Sequence, residues 1–373
     1  MPHIAKADLD SKGPIQHPPF EGMVWIPGST FRMGSNDFYP EEQPVHRVTV
    51  DSFWMDEHPV TNAEFRRFVE ATGYLTIAER PPNPEDYPGI DRTLLVPGSL
   101  VFQPPPRPVS LRDPRAWWTY LPGACWYCPA GPASNLDGRE RNPVVHVTYE
   151  DAEAYAAWAG KALPTEAEWE FAARGGLEGA TYVWGDEYAP EGQLMASTWQ
   201  GEFPWQNLKS DGYDSTSPVG SFPANGYGLF DMAGNVWEWT SDYFRPRHPE
   251  EPSKTCCTPR NPRIDSPEIS YASNLPDAHT PRKVVKGGSH LCAPNYCLRY
   301  QPAARQGEAA YDQVVRSGRI KLMGPVHAYA AESIIWQSTT KAATDARTWL
   351  VGQGKDASKT KDSGESKTPE GQP

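Results

Sequence analysis

The sequence lacks an uninterrupted apolar run of the roughly 18 residues that a transmembrane helix needs, which argues against a membrane span. Positive charge is also scarce, because 35 Lys and Arg stand against 47 Asp and Glu, giving a net charge of −12. Proteins that bind nucleic acid or an anionic membrane normally show the opposite balance. We therefore expect neither nucleic acid nor a membrane among the partners.

Residues 1–8 contain no apolar signal-peptide core, and this predicts a cytoplasmic protein. Six cysteines in 373 residues are too few for a disulfide-dense secreted scaffold. In a reducing compartment, a closely spaced cysteine pair is more often catalytic or metal-binding than structural.

Proline and glycine are abundant, with 40 Pro and 31 Gly, and the proline share is roughly twice the usual one. Together with 14 Trp and 17 Tyr, this composition predicts a loop-rich globule with low regular secondary structure, held by aromatic packing. The short helices and strands indicated by local patterns below make the expected fold class α+β. Residues 1–20 are expected to form a flexible lead-in. Residues 326–373 are expected to form a C-terminal extension that is disordered from about 354, because its last twenty residues contain no large apolar side chain.

Three helix starts are signalled by a threonine followed three residues later by Glu or Asp, at Thr61, Thr148 and Thr165. Each signal is followed by an apolar stripe and then by a glycine, which predicts short helices ending near residues 73, 160 and 175. Alternating apolar residues predict strands at 23–28 and 45–50. Trp237 and Trp239 are expected in the core.

Cys292 and Cys297 lie in the run 286–300, after a Gly-Gly-Ser segment and on either side of a proline that resists helix. Soft thiolates select Cu(I) or Zn(II), or they form a redox pair. Spacing alone also permits a structural disulfide. A second pair, Cys125 and Cys128, has no further ligand pair at the spacing of a zinc site, so we do not expect it to bind a metal.

The motifs resemble those of the formylglycine-generating enzymes, also called sulfatase-modifying factors. The matching stretches are the cysteine run and residues 27–35, 59–65, 142–147, 163–170 and 234–239. They follow the family's order over roughly residues 22–305. The resemblance implies one catalytic domain over residues 21–325, with the formylglycine-generating-enzyme fold and a C-type-lectin-like core.

The resemblance also implies an activity and a cofactor. The family oxidises a cysteine in a Cys-x-Pro-x-Arg motif of an unfolded or nascent sulfatase to Cα-formylglycine, using Cu(I) and O2. Cys292 and Cys297 match its two copper-binding cysteines, and Ser289 matches an active-site serine. The chain is expected to act as a monomer.

Two structural Ca²⁺ sites follow from the same resemblance. The first would comprise Ser197, Thr198, Asp211 and Tyr213, with Ser197 replacing the family's usual Asn. The second would comprise Asp231, Gly234, Val236 and Glu238. Hard Ca²⁺ prefers carboxylate and carbonyl oxygens, which this turn-rich acidic segment offers.

One departure from the family lies after the cysteine run. The family closes with a strand containing Gly-Phe-Arg, whereas Arg305 is followed by Gln-Gly-Glu-Ala, so we expect the closing strand to be missing. That expectation supports an alternative function as a non-catalytic C-type-lectin-like binding module. A second alternative, an iron-dependent sulfoxide synthase of the same superfamily, would need a His-x3-His-x-Glu motif, which the sequence lacks.

Overall fold

The computed structural model describes residues 18–84, 91–250, 257–271 and 279–310. Within them it contains three α-helices: α1 (Asn62–Thr72), α2 (Tyr149–Trp158) and α3 (Glu166–Arg174). The strands of the same residues are β1 (Met23–Ile26), β2 (Ser29–Met33), β3 (His46–Val50), β4 (Phe53–Asp56), β5 (Gly98–Phe102), β6 (Trp118–Pro122), β7 (Glu238–Tyr243), β8 (Arg282–Lys286) and β9 (Arg305–Ala309). The predicted α+β fold with low regular secondary structure is confirmed. The predicted extension at 326–373 and most of the lead-in lie outside the described residues.

The three helices begin at the predicted threonines. In α1 the Thr61 hydroxyl accepts the Glu64 N–H, while the Glu64 carboxylate accepts the Thr61 N–H at 2.8 Å. The same reciprocal capping starts α2 at Thr148 and α3 at Thr165. Each box satisfies two backbone donors that a helix start otherwise leaves without partners. None of the helices in the described ranges is both long and apolar enough to cross a membrane.

The strands form small antiparallel sheets. β1 pairs with β4, β2 with β3, and β5 with β6, while β7, β8 and β9 form one three-stranded sheet in that order. The predicted strands at 23–28 and 45–50 correspond to β1 and β3.

The expectation that the closing strand is missing is wrong. β9 pairs with β8 over its full length, from Lys286 opposite Arg305 to Arg282 opposite Ala309. A β-ladder is made by backbone groups, so the unusual order Arg-Gln-Gly-Glu-Ala still forms it. Only Gly307 is sterically demanding, because a Cβ there would lie 2.5 Å from the Phe244 ring. The three-stranded sheet is therefore complete without the family's usual motif.

The main core is built largely from aromatic rings. Trp169 of α3 is fully buried, and Tyr182 stacks on Tyr300 with ring centroids 6.1 Å apart. A smaller core joins α1 to a nearby loop, where Phe65 contacts Trp126 at 5.3 Å between centroids. Aromatic packing thus takes the place of long helices and wide sheets, as the composition predicts.

A buried network of ion pairs connects α3 to β8 and β9. Glu170 accepts hydrogen bonds from Lys286 at 3.1 Å and Arg174 at 2.7 Å, and Glu166 forms a two-pronged pair with Arg305. Burial alone would raise the pKa of Glu170, but the charges of Lys286 and Arg174 hold it at about 2. Both carboxylates are therefore ionised and paired inside the core.

Arg305→Met tests this network. We expect a loss of about 3–5 kcal/mol in the free energy of unfolding, because the change removes the paired charge from buried Glu166. The matched control is Arg115→Met, which breaks an exposed pair with Asp113 and should cost less than about 1 kcal/mol. Urea denaturation measures both. Equal losses for the two variants would contradict the structural role of the buried pair.

Candidate active site

The loop between β8 and β9 carries the cysteine pair. It leaves β8 through Gly287 and Gly288, whose φ angles of 88° and 72° are positive. At Gly288 a Cβ would lie 2.6 Å from the Arg299 carbonyl oxygen, so the close approach of the two loop arms requires glycine here. Beyond this point the chain makes two turns, closed by Cys292 N–H to Ser289 O at 2.9 Å and Cys297 N–H to Ala293 O at 2.7 Å.

These turns bring the two predicted thiols together. The Sγ atoms of Cys292 and Cys297 are 2.8 Å apart, both cysteines are free, and they are only 2% and 7% exposed. A disulfide would have an S–S distance of about 2.05 Å, so the sulfurs face each other without a bond. Ser289 lies beside them, and its backbone N–H donates to the Cys292 sulfur at 3.4 Å. The residues predicted for the active site therefore lie together in one loop.

The two buried thiols differ in acidity. Burial raises the pKa of Cys292 well above its usual value, and so does donation of its proton toward Cys297. Burial also opposes ionisation of Cys297, but the hydrogen bond from Cys292 and the Arg299 charge lower the pKa of Cys297 to about 7. One thiolate is therefore accessible near neutral pH, and the pair suits a soft cation.

Sequence reasoning missed the residues behind the thiols. The buried Arg299 guanidinium lies 3.8 Å from the centroid of the Tyr39 ring and forms an ion pair with Glu41. The Tyr39 hydroxyl accepts the Leu298 N–H at 3.0 Å. Arg299 could have been suspected from its place two residues after Cys297. Nothing in the sequence pattern indicates that Tyr39 and Glu41, far away in the chain, support this loop.

The thiols open into a cleft of about 380 Å³. Its walls are mostly apolar, and the lining residues comprise Trp118, Val144, Val145, His146, Val147, Phe203, Asn235, Val236, Trp237, Trp239, Val285, Ser289, His290, Leu291, Cys292, Tyr296, Cys297, Gln306 and Glu308. Among these described residues, Glu308 of β9 is the one acidic side chain, and no Lys or Arg is present. The cleft therefore offers apolar contacts and one negative charge.

Trp237 packs against the main core, as expected, whereas Trp239 belongs to neither described core cluster. Both are half-buried and line the cleft. Trp239 donates through Nε1 to the Val147 carbonyl at 3.2 Å, which ties it to another wall residue. His146 also lines the cleft, with ring nitrogens 2.8 Å from both Ser99 Oγ and Pro129 O.

The residues of the first predicted calcium site lie close to one another. Burial raises the pKa of Asp211, although contacts with Ser197, Thr198 and Gln200 partly offset this. The Asp211 carboxylate also accepts the Tyr213 N–H at 3.0 Å. A buried acid beside a hydroxyl and a carbonyl is a donor set that fits a hard cation. Ser197 thus keeps an oxygen where the family has Asn.

The second predicted calcium site has an unsatisfied carboxylate. Glu238 Oε2 accepts the Trp169 indole N–H at 2.7 Å, but its buried Oε1 has no hydrogen-bond partner among the described residues. Burial, together with the nearby Asp231 charge, raises the pKa of Glu238 to about 7. A divalent cation between Asp231 and Glu238 would compensate both charges, so these residues fit Ca²⁺.

Both clusters are attached to the cysteine loop through the backbone. Trp199, next to the first cluster, donates its N–H to the Cys292 carbonyl at 2.9 Å. Gly234 of the second cluster donates to Gly287 O at 2.8 Å, and His290 donates to Asn235 O at 2.9 Å. Gly234 has a φ of 75°, and a Cβ there would lie 2.1 Å from Ser197 O, so the two clusters are also in direct contact. A fixed conformation of either cluster therefore helps to fix the position of the cysteine loop through these hydrogen bonds.

The fold and this cleft define a member of the sulfatase-modifying factor family. Residues 11–318 match the sulfatase-modifying factor enzyme 1-like domain, and the chain therefore belongs to this family. The resemblance inferred from the motifs is confirmed.

Curated relatives carry more specific names. The chain is 55% identical over 289 residues to the formylglycine-generating enzyme of Mycobacterium tuberculosis (77% of this chain, 92% of the relative). It is 44% identical to that of Thermomonospora curvata (76% and 88%). It is also 42% identical over 240 residues to a mouse protein named inactive C-alpha-formylglycine-generating enzyme 2 (62% and 72%).

Proposed function

We propose that this protein is a copper-dependent formylglycine-generating oxidase, which converts a sulfatase cysteine in a Cys-x-Pro-x-Arg motif to Cα-formylglycine with O2. The observation that carries the proposal is the buried pair of free thiols, 2.8 Å apart, at an apolar cleft. The two bacterial relatives named for this activity support it.

The donor set suits Cu(I). Cys292 and Cys297 would hold the ion, since soft thiolates select soft metals. Copper bound there would supply the one-electron chemistry that couples the substrate cysteine to O2. Arg299 keeps Cys297 ready to bind by lowering its pKa, and the aromatic walls keep water away from the sulfurs. Ser289 orients the loop, because its carbonyl accepts the Cys292 N–H.

The cleft also suits the proposed substrate. An unfolded or nascent polypeptide can enter as an extended segment, and the motif proline can pack against aromatic walls such as Trp118 and Phe203. The motif arginine carries a positive charge, for which Glu308 is the complementary group in the cleft lining. Sulfatases with this motif are thus the proposed partners. The cytoplasmic location and the monomeric state stay predictions.

We further propose that both acidic clusters bind structural Ca²⁺. The buried Glu238 oxygen without a partner supports the second site most directly. Because both clusters hydrogen-bond to the loop of residues 287–292, bound Ca²⁺ would stabilise the position of the thiols. Calcium is assigned no chemical step.

The non-catalytic alternative loses its main argument, because the closing strand that was expected to be missing is formed by β9. The mouse relative named inactive still makes a direct activity test necessary.

Turnover of a motif peptide is the decisive test. Protein loaded with Cu(I) and given air and a peptide containing Leu-Cys-Thr-Pro-Ser-Arg should yield an aldehyde, detected by mass spectrometry or hydrazide capture. Cys292→Ala and Cys297→Ala should each abolish turnover, because one sulfur alone cannot form the two-thiolate site. The matched control, Cys257→Ala at an exposed cysteine outside the cleft lining, should retain activity. Folded, copper-loaded protein without product would refute the proposal.

Glu308→Gln tests the proposed arginine contact. We expect kcat/KM to fall roughly 10-fold or more, mainly through KM, because the change removes a charge-assisted hydrogen bond worth about 1.5–3 kcal/mol. In a second peptide, the motif arginine is replaced by glutamine. With the parent protein, this peptide should show a similar fall in kcat/KM. With the Glu308→Gln variant, the same replacement in the peptide should lower kcat/KM little further. Independent, additive losses would show that Glu308 does not meet the arginine.

Thermal unfolding with and without Ca²⁺ tests the calcium sites. A hundredfold excess over Kd should add about 2.7 kcal/mol per site and raise Tm by roughly 5 °C or more. Asp231→Asn should reduce this rise, whereas Asp137→Asn, at an exposed aspartate, should leave it unchanged. A Tm that does not respond to Ca²⁺ or EGTA in the parent protein would rule out the sites.

A further inference from the structure

Cys125 and Cys128 form a second close cysteine pair, which has no part in the proposed reaction. They flank a tight turn made by Trp126 and Tyr127. The Cys125 N–H donates to Cys128 O at 3.3 Å, and the Cys128 N–H donates to Cys125 O at 3.1 Å. Both cysteines are free. The turn therefore holds two thiols on facing backbone positions.

The spacing of the two cysteines fits a metal-binding turn, because cysteines two residues apart on a tight turn are typical of sites that bind soft metals. Burial raises the pKa of the Cys125 thiol, and the neighbouring N–H groups of Tyr127 and Cys128 and the Tyr127 phenol partly offset this rise. A soft cation bound at the turn would stabilise the thiolate form of both cysteines.

The turn is rigid on one side and open on the other. Trp126 is buried and contacts Phe65 with ring centroids 5.3 Å apart, which anchors the turn to α1. Cys128 is only half-buried, and Tyr127 is 45% exposed. An ion can therefore approach Cys128 from solvent, while Cys125 lies on the buried side of the same turn.

The turn offers only two cysteine ligands, and this number favours Cu(I) over Zn²⁺. No group of three or more His, Cys, Asp or Glu side chains is arranged to hold a metal in the parts of the chain that the structure describes. A structural Zn²⁺ site needs four such ligands, whereas Cu(I) is soft and can be held by two thiolates. We propose that Cys125 and Cys128 bind a second Cu(I) ion, separate from that of the cleft. The nearby Glu79 carboxylate adds negative charge.

The second pair also lies near the cleft. Pro129, next to Cys128, has its carbonyl oxygen 2.8 Å from His146 Nε2, and His146 lines the cleft. Copper bound at the turn would thus lie one residue from a hydrogen bond to the wall of the cleft, without occupying the thiols of Cys292 and Cys297. Binding at the turn does not depend on the catalytic proposal.

Anaerobic titration of the reduced full-length protein with Cu(I), in competition with bicinchoninate, counts the sites. The parent protein should bind two ions tightly. Cys292→Ala/Cys297→Ala and Cys125→Ser/Cys128→Ser should each bind one, and combining all four changes should leave none. Cys257→Ser is the matched control and should still bind two.

Alkylation mapping locates the ion even if Cys125→Ser/Cys128→Ser fails to fold. In the Cys292→Ala/Cys297→Ala protein, Cu(I) should slow iodoacetamide labelling of Cys125 and Cys128 by at least about 10-fold, which equals 1.4 kcal/mol of protection. Cu(I) X-ray absorption on the same variant should show sulfur ligands only. The proposal is overturned if that variant binds no copper, if both cysteines label equally fast with and without Cu(I), or if Zn²⁺ binds and Cu(I) does not displace it.

Discussion

Two buried carboxylates of α3 hold both ends of the active loop. Lys286, the last residue of β8, pairs with Glu170, and Arg305, the first residue of β9, pairs with Glu166. Lys286 and Arg305 also face each other in the β8–β9 ladder. The loop of residues 287–304 therefore begins and ends at one fixed point. Breaking either buried ion pair would leave an unpaired charge in the core, which is strongly unfavourable. We therefore expect the ends of the loop to detach from α3 only when the core itself unfolds.

The conformation of this loop is held mainly by aromatic packing, because the loop contains no helix or strand. Tyr296 stacks on Phe203 with ring centroids 4.3 Å apart and also contacts Trp117. Arg299 packs over Tyr39 between the ion pair with Glu41 and the Cys297 thiol. The thiols are thus positioned by residues from several distant segments. A loop with so few internal hydrogen bonds could not otherwise hold two sulfurs in one geometry.

The proposed ions divide according to their chemistry. Oxygen-rich turns around Asp211 and Asp231 suit hard Ca²⁺, and they reach the loop through backbone hydrogen bonds. Buried sulfurs suit Cu(I), in the cleft and at the Cys125–Cys128 turn. The closing strand β9 completes the sheet and also contributes Glu308 to the cleft. A segment that departs from the family pattern thereby completes the sheet and contributes a carboxylate to the cleft lining.

The sequence by itself determined the features whose causes are local. Capping boxes at Thr61, Thr148 and Thr165 define helix starts, because each residue contacts a partner three positions away. The residues around Cys292 and Cys297 also indicated the thiol pair, because the cysteines lie close in the chain and their flanking run resembles that of the family. Tertiary structure alone decided that Tyr39 and Glu41 support the loop and that β9 closes the sheet. These depend on side chains meeting across long stretches of chain and on backbone pairing that carries little sequence signal, so no local pattern could reveal them.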